Sequence, residues 1–181
     1  DRLRIQEGFS MAYPARIMSA WVTDVPNMNG RSVSLQYRFL AAMQGALGIG
    51  ANLNHWSDQD TATATRMVAL YKRIRATVQL GDLYRLFSPR SGDLTANQYV
   101  AADGQQAVLF AFRHSQQYNT AAPAIALRGL DAKALYRVES IDNKLADRRG
   151  ELSGAFLMSA GLNLNLRGDY DSTAVILERV E

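Results

Sequence analysis

The chain has 181 residues, enough for one large or two small domains with real cores. Its 48% hydrophobic and 20% charged residues are ordinary for a globular protein and exclude disorder as the default. The absence of cysteine excludes disulfides and thiolate-bound metal, and a net charge of +3 spread along the chain leaves no basic stripe for nucleic acid, Arg148-Arg149 after Asp147 being the nearest approach.

Residues 1–12 read as a helix already under way, so the chain is expected to begin inside a larger protein. Pro14 ends that helix, because the residue before a proline is pushed out of the α region. The apolar run from Ile17 to Thr23 predicts a strand buried on both faces and is far too short to span a membrane. Asp24, Pro26 and Asn27 follow it, with a polar turn at Asn29-Gly30. From Ser34 to Gly45, Leu35, Phe39, Leu40 and Met43 recur at helical spacing. Gly45, Gly48 and Gly50 read as breakers of that helix. Their Gly-x-x-Gly-x-Gly pattern is not a phosphate loop, since no strand is expected before it and no Lys-Ser or Lys-Thr follows.

Ser57-Asp58-Gln59-Asp60 reads as a capping box, with Asp60 in the place usually held by Glu or Gln. Met67, Leu70, Tyr71, Ile74 and Val78 then make one apolar helix face, which Gly81 is expected to stop. After Pro89, Arg90-Ser91-Gly92-Asp93 reads as a linker, and the periodicity turns to strands. Expected strands are 107–112, 124–130, 134–139 and 173–177, bounded by turns such as Asp103-Gly104 and Asp142-Asn143. The fold class read from this order is α/β followed by all-β, divided into residues 1–90 and an antiparallel β-sandwich over 91–181. The sandwich is expected to close its own core with Leu109, Ile125, Leu127, Leu135, Val138, Leu157, Val175 and Leu177, and to fold alone.

In order along the chain stand Arg4-Ile5-Gln6-Glu7-Gly8-Phe9-Ser10, Tyr13-Pro14, Met18-Ser19-Ala20-Trp21-Val22, Val25-Pro26-Asn27, Gly30-Arg31, Gly45-Ala46-Leu47-Gly48, Tyr71-Lys72 and Gly81-Asp82-Leu83-Tyr84-Arg85-Leu86. With Ser153-Gly154, Leu157-Met158 and Gly161-Leu162, this series resembles glycoside hydrolase family 36, the microbial α-galactosidases. The resemblance implies the last βα units of a (β/α)8 TIM barrel followed by the family's C-terminal β-sandwich. It implies hydrolysis of terminal α-galactosyl groups from oligosaccharides with retention, by one nucleophilic and one acid/base aspartate. Both family motifs precede the matched region, so no residue here inherits a catalytic role and the chain alone is expected to be inactive. No cofactor is implied. The implied partner is an α-galactoside oligosaccharide, with no nucleic acid or membrane, in a cytoplasmic protein that forms homo-oligomers.

Barrel enzymes place their chemistry at the C-terminal ends of the strands. Trp21, Asp24 and Asn27, at and just after the first strand, are therefore the candidate substrate-binding residues. A carboxylate could accept hydrogen bonds from sugar hydroxyls, and an indole could offer a flat face to a pyranose. Against this, Asp24 and Asn27 are common turn residues and Trp21 could be core. His55 and His114 are too far apart in sequence to suggest a metal site or a triad. Tyr84-Arg85 is expected to clamp the two pieces together. The rival reading is a non-catalytic carbohydrate-binding module, for which Tyr99, Phe110, Phe112, Tyr118 and Tyr136 would have to form an exposed row.

Overall fold

The computed structural model describes residues 1–146 and 150–180, and Arg148-Arg149 lie outside the described residues. The first part carries helix α1 (Arg2–Ser10), strand β1 (Ser19–Val22), helix α2 (Leu35–Ala42), strand β2 (Ala46–Ile49) and the long helix α3 (Asp58–Leu80). Strands β3 (Asp82–Phe87), β4 (Leu94–Val100), β5 (Gln106–Arg113), β6 (Leu135–Ser140) and β7 (Glu151–Ser153) follow. Helix α4 (Gly154–Ser159) and strand β8 (Asp171–Val180) complete the order. β1 and β2 pair in parallel, whereas β3 to β8 form one six-stranded antiparallel sheet in the order β3-β4-β5-β8-β6-β7.

The capping box forms: the Ser57 hydroxyl accepts the Asp60 amide at 3.1 Å while the Asp60 carboxylate accepts the Ser57 amide at 3.1 Å. These bonds hold the Asp60 carboxyl below its ordinary pKa. Gly81 ends α3 in extended backbone, and its value is close approach. A Cβ there would lie 2.3 Å from the Val100 carbonyl oxygen.

The strand expected over Ile17 to Thr23 is shorter, Ser19–Val22. Ala20 and Val22 pack against the helices of this chain, while Ser19 and Trp21 lie on the face those helices do not cover. The glycine segment differs as well. It holds β2, with Gly48 inside the strand, so it does more than break α2. Tyr71 of α3 fastens this strand: its hydroxyl donates to the Gly45 carbonyl at 2.7 Å and accepts the Leu47 amide at 3.2 Å.

The six-stranded sheet is buried on both sides. On one side Tyr99, Val108, Phe110, Phe112, Ala174 and Ile176 share a core with Phe39, Leu40 and Met43 of the α2 region and Met67, Ile74 and Val78 of α3. On the other, Ala96, Leu109, Ala111, Val175 and Leu177 meet Ile125, Leu127, Leu157, Leu162 and Leu164. That second layer combines irregular segments with helix α4, and among the described residues its segments carry only the isolated bridges Ile125–Leu162 and Leu145–Leu164. The strand expected over 124–130 is therefore absent. The Gln98 side-chain amide holds that segment instead, donating to the Arg128 carbonyl at 2.7 Å and accepting the Arg128 amide at 2.8 Å.

The core expected of the sandwich forms with one exception: Leu109, Ile125, Leu127, Val138, Leu157, Val175 and Leu177 share a buried cluster drawn from residues 94–177, while Leu135 is 47% exposed. The opposite face of the sheet, with Phe110 and Phe112, packs against α2 and α3. Polar contacts reinforce the junction. Arg73 of α3 reaches Glu139 at 2.8 Å and Glu178 at 2.9 Å, Gln36 donates to Asp142 at 2.8 Å, and Asn97 donates to Gln44 at 2.7 Å. Arg85 of β3 donates through Nε to the Ser10 hydroxyl at 2.9 Å and through Nη2 to the Ser10 carbonyl, which is the clamp expected of the Tyr84-Arg85 pair.

Residues 95–181 expressed alone are expected to bind a hydrophobic dye and to lack a sharp unfolding transition, whereas residues 1–181 unfold as one unit in the same assay. Phe110→Ala, at a site with no exposure and in edge contact with Tyr99, should destabilise the chain by about 3–5 kcal/mol in denaturant titration. The capping-box contribution should be present at neutral pH and fade as pH falls below the ordinary carboxylate range through the depressed Asp60 pKa. Asp60→Asn should flatten that acid-side dependence in thermal melts.

Candidate functional site

In the parallel register Ser19 faces Ala46 and Val22 faces Ile49, so both strands end toward the same side. The segments leaving them, 23–34 and 50–57, form one rim. The Asp24 carboxylate accepts the Asn52 amide at 2.9 Å and so ties the two segments together. The Asn52 side chain in turn accepts the Asn54 amide at 3.2 Å and lies 3.2 Å from Nε2 of His55. Arg38 of α2 donates to the Thr23 carbonyl at 2.7 Å. Burial lowers its pKa, and the Asp60 and Asp24 carboxylates oppose that shift.

Asn27 stands one turn further out. Its Oδ1 accepts the Asn29 and Arg31 amides, each at 3.0 Å, and its own amide donates to the Arg31 carbonyl at 2.9 Å. The Asx turn thus occupies the side-chain oxygen, as turn-forming asparagines do. The peptide bond before Pro26 is cis.

Trp21 lies on the exposed face of β1, half-open to solvent. It lines a cavity of about 950 Å³ between α1, β1 and the edge of the sheet domain. Asn27, Arg31, Arg38, Tyr37, His114 and Tyr170 line it as well. Tyr37 and Tyr170 meet edge-on at 6.1 Å, and burial raises the Tyr37 phenol above its ordinary pKa. Trp21 and Asn27 are therefore brought to one cavity, while Asp24 stands at the adjacent rim. The sequence did not single out Arg38 or Tyr37. Arg38 follows Tyr37 on a helix whose pattern speaks only of an apolar face, and its contact with the β1 exit depends on the tertiary packing.

The remaining candidates fall elsewhere. Among the described residues no three His, Asp or Glu side chains gather as a metal-binding group, and no helix is long and apolar enough to cross a membrane. Of the aromatics a binding module would need, Tyr99, Phe110, Phe112 and Tyr136 are buried and Tyr118 alone is exposed, at 71%. They form no row on an open sheet face.

Two family models match the chain in tandem: Melibiase over residues 1–81 and the glycosyl hydrolase family 36 C-terminal domain over residues 94–177. The chain belongs to glycoside hydrolase family 36. It is 39% identical over 99% of its length to alpha-galactosidase C of Emericella nidulans and 35% identical over its whole length to alpha-galactosidase AgaA of Geobacillus stearothermophilus. Among solved structures, AgaA superposes with a TM-score of 0.91 at 35% identity, covering 99% of this chain. A structure of an AgaA variant in complex with raffinose also reaches a TM-score of 0.91, at 34% identity. This chain spans 23% of the Emericella relative and 24% of AgaA, about a quarter of either.

Asp24→Ala is expected to free the 50–57 segment from β1. The Asn52 amide should exchange faster with solvent deuterium, and stability should fall by only about 0.5–1.5 kcal/mol, the range for one exposed hydrogen bond.

Proposed function

We propose that this chain is the C-terminal part of an α-galactosidase that removes terminal α-D-galactosyl residues from galacto-oligosaccharides with retention of configuration. The observation that carries this reading is the unbroken match to α-galactosidases over 99% of the chain, in sequence and in backbone course. Residues 1–90 would supply the closing βα units of a (β/α)8 barrel. The β1-α2-β2-α3 order, with parallel strands and helices on one face, supports that assignment. Residues 91–181 would form the C-terminal sandwich, with β3 crossing the boundary to serve as its edge strand. Trp21, Asp24 and Asn27 would stand at the substrate side, since the strand ends of a barrel carry its site.

Retaining hydrolysis needs two carboxylates, one to attack the anomeric carbon and one to protonate the leaving oxygen. Near the strand ends, Asp24 holds the Asn52 amide and Asp60 belongs to the capping box, so each has a local structural task. Neither matches a family catalytic motif, and in this reading both catalytic aspartates come from the preceding part of the polypeptide. The substrate class is supported by the raffinose and stachyose bound in structures of AgaA variants. A homo-oligomeric, cytoplasmic parent is part of the proposal.

A polypeptide carrying this chain together with the remainder found in its relatives should release nitrophenol from a p-nitrophenyl α-galactoside, with galactose first appearing as the α-anomer by NMR. Residues 1–181 alone should give no turnover. Inactivity of the longer polypeptide, or turnover by the chain alone, would reject the reading.

A further inference from the structure

The three glycines that made no phosphate loop have a different use, visible beside Trp21. The β1–β2 register sets Trp21 opposite Gly48, and the two-residue period of a strand puts Gly48 and Gly50 on the face that Trp21 occupies. A Cβ at Gly48 would lie 3.0, 3.1 and 3.2 Å from Cε3, Cδ2 and Cζ3 of the indole. Three neighbouring ring atoms at nearly equal distance mean that the ring lies face-on over the glycine. An edge-on approach would separate those distances by most of an ångström. At Gly50 a Cβ would come within 3.1 Å of Cε3. A side chain at Gly48 would require the ring to give by a few tenths of an ångström. One indole face thus rests on β2 backbone, on the side of the β1–β2 pair that the helices of this chain leave uncovered, where Trp21 lines the cavity.

We propose that Trp21, seated on Gly48 and Gly50, is a platform that stacks against the C–H face of a pyranose ring of the α-galactoside. The proposal rests on the reading that the parent acts on α-galactosides and assigns its sugar-stacking surface to this chain. A galactopyranose has an axial 4-hydroxyl, which leaves the C–H bonds concentrated on one ring face. A flat, weakly hydrated aromatic surface complements that face. Asn27, Arg31 and Arg38 line the same cavity and offer polar groups to the hydroxyl edge, the usual division of a ligand site into an apolar wall and a few placed polar groups. Because the seat is backbone, the ring keeps its orientation without a hydrogen-bonded partner.

The test compares variants of the longer polypeptide. Trp21→Ala should raise KM for melibiose by roughly tenfold or more, as loss of a flat stacking partner does, with kcat changed much less. Trp21→Phe should recover part of the loss. Gly48→Ala should raise KM severalfold because its Cβ meets the ring at 3.0 Å, whereas Gly92→Ala, with nothing within 4 Å, should match the parent. Thermal melting identifies any variant that fails to fold, and Trp21→Phe and Gly48→Ala then carry the comparison. A folded Trp21→Ala or Gly48→Ala protein whose KM stays within twofold would overturn the proposal and make the indole a packing group only. If the parent hydrolyses no α-galactoside, the functional reading falls instead. Calorimetric titration with galactose then decides the platform without turnover: binding lost in the Trp21 and Gly48 variants supports it, and binding absent or unchanged overturns it.

Discussion

The shared core between the sheet and the helices α2 and α3 is the contact on which the rest of the structure depends. Antiparallel sheets commonly leave one face to water, yet here β4, β5 and β8 are buried almost without a break. Phe110 and Phe112 have no exposure, and their cover comes from a different family model's span. One face of the sheet in the C-terminal matched region therefore shares its core with helices of the N-terminal one, while the other face packs within its own region. Burial of this kind contributes roughly 1.5–3 kcal/mol for each large apolar side chain, well above what the exposed Arg73 ion pairs can add. Arg73, Gln36 and Arg85 fix the register of the junction more than its strength.

That core also determines the orientation of the site. Ala20 and Val22 enter the same cluster as Phe39 and Leu40, which fixes which way β1 faces. With a two-residue period, Trp21 must then point away from the helices. Its direction follows from the packing of its neighbours. Arg38 extends this link, because the helix that buries Phe39 and Leu40 also places the guanidinium on the Thr23 carbonyl at the β1 exit. A disturbance of the α2 packing would therefore be felt at the strand end.

Helices α1, α2 and α3 were legible in the sequence, α4 was not, and the sheet was legible only in part. The apolar face of α3 and its capping box follow from local chemistry, and both appear as read. β4 was missed because Thr95, Asn97 and Gln98 look like loop residues. Thr95 and Gln98 are buried and Asn97 is half-buried: Asn97 bonds Gln44, Gln98 bonds the backbone of Arg128, and the Thr95 hydroxyl finds no hydrogen-bond partner among the described residues. The opposite error occurred at 124–130, where Ile125, Leu127 and Leu130 are buried and the residues between them exposed, yet the segment has only one bridge. Hydrophobicity reports burial. It does not report which backbone groups find partners, and that pairing decides what is a strand.

The glycines of 45–50 show the same limit from the side of function. In isolation they are helix breakers, and nothing local distinguishes a breaker from a strand that something must approach closely. The distinction lies more than twenty residues away. Gly45 would place a Cβ 2.5 Å from the Met18 carbonyl, and Gly48 and Gly50 would place theirs against Trp21. All three absences of a side chain answer to β1 and its approach, so the pattern records a strand pairing. A large aromatic on one strand and glycines on its neighbour form a complementary pair, in which the missing volume of one accommodates the ring of the other. The pair stands on the face that the helices leave open, and its geometry is set by backbone that the shared core holds in place.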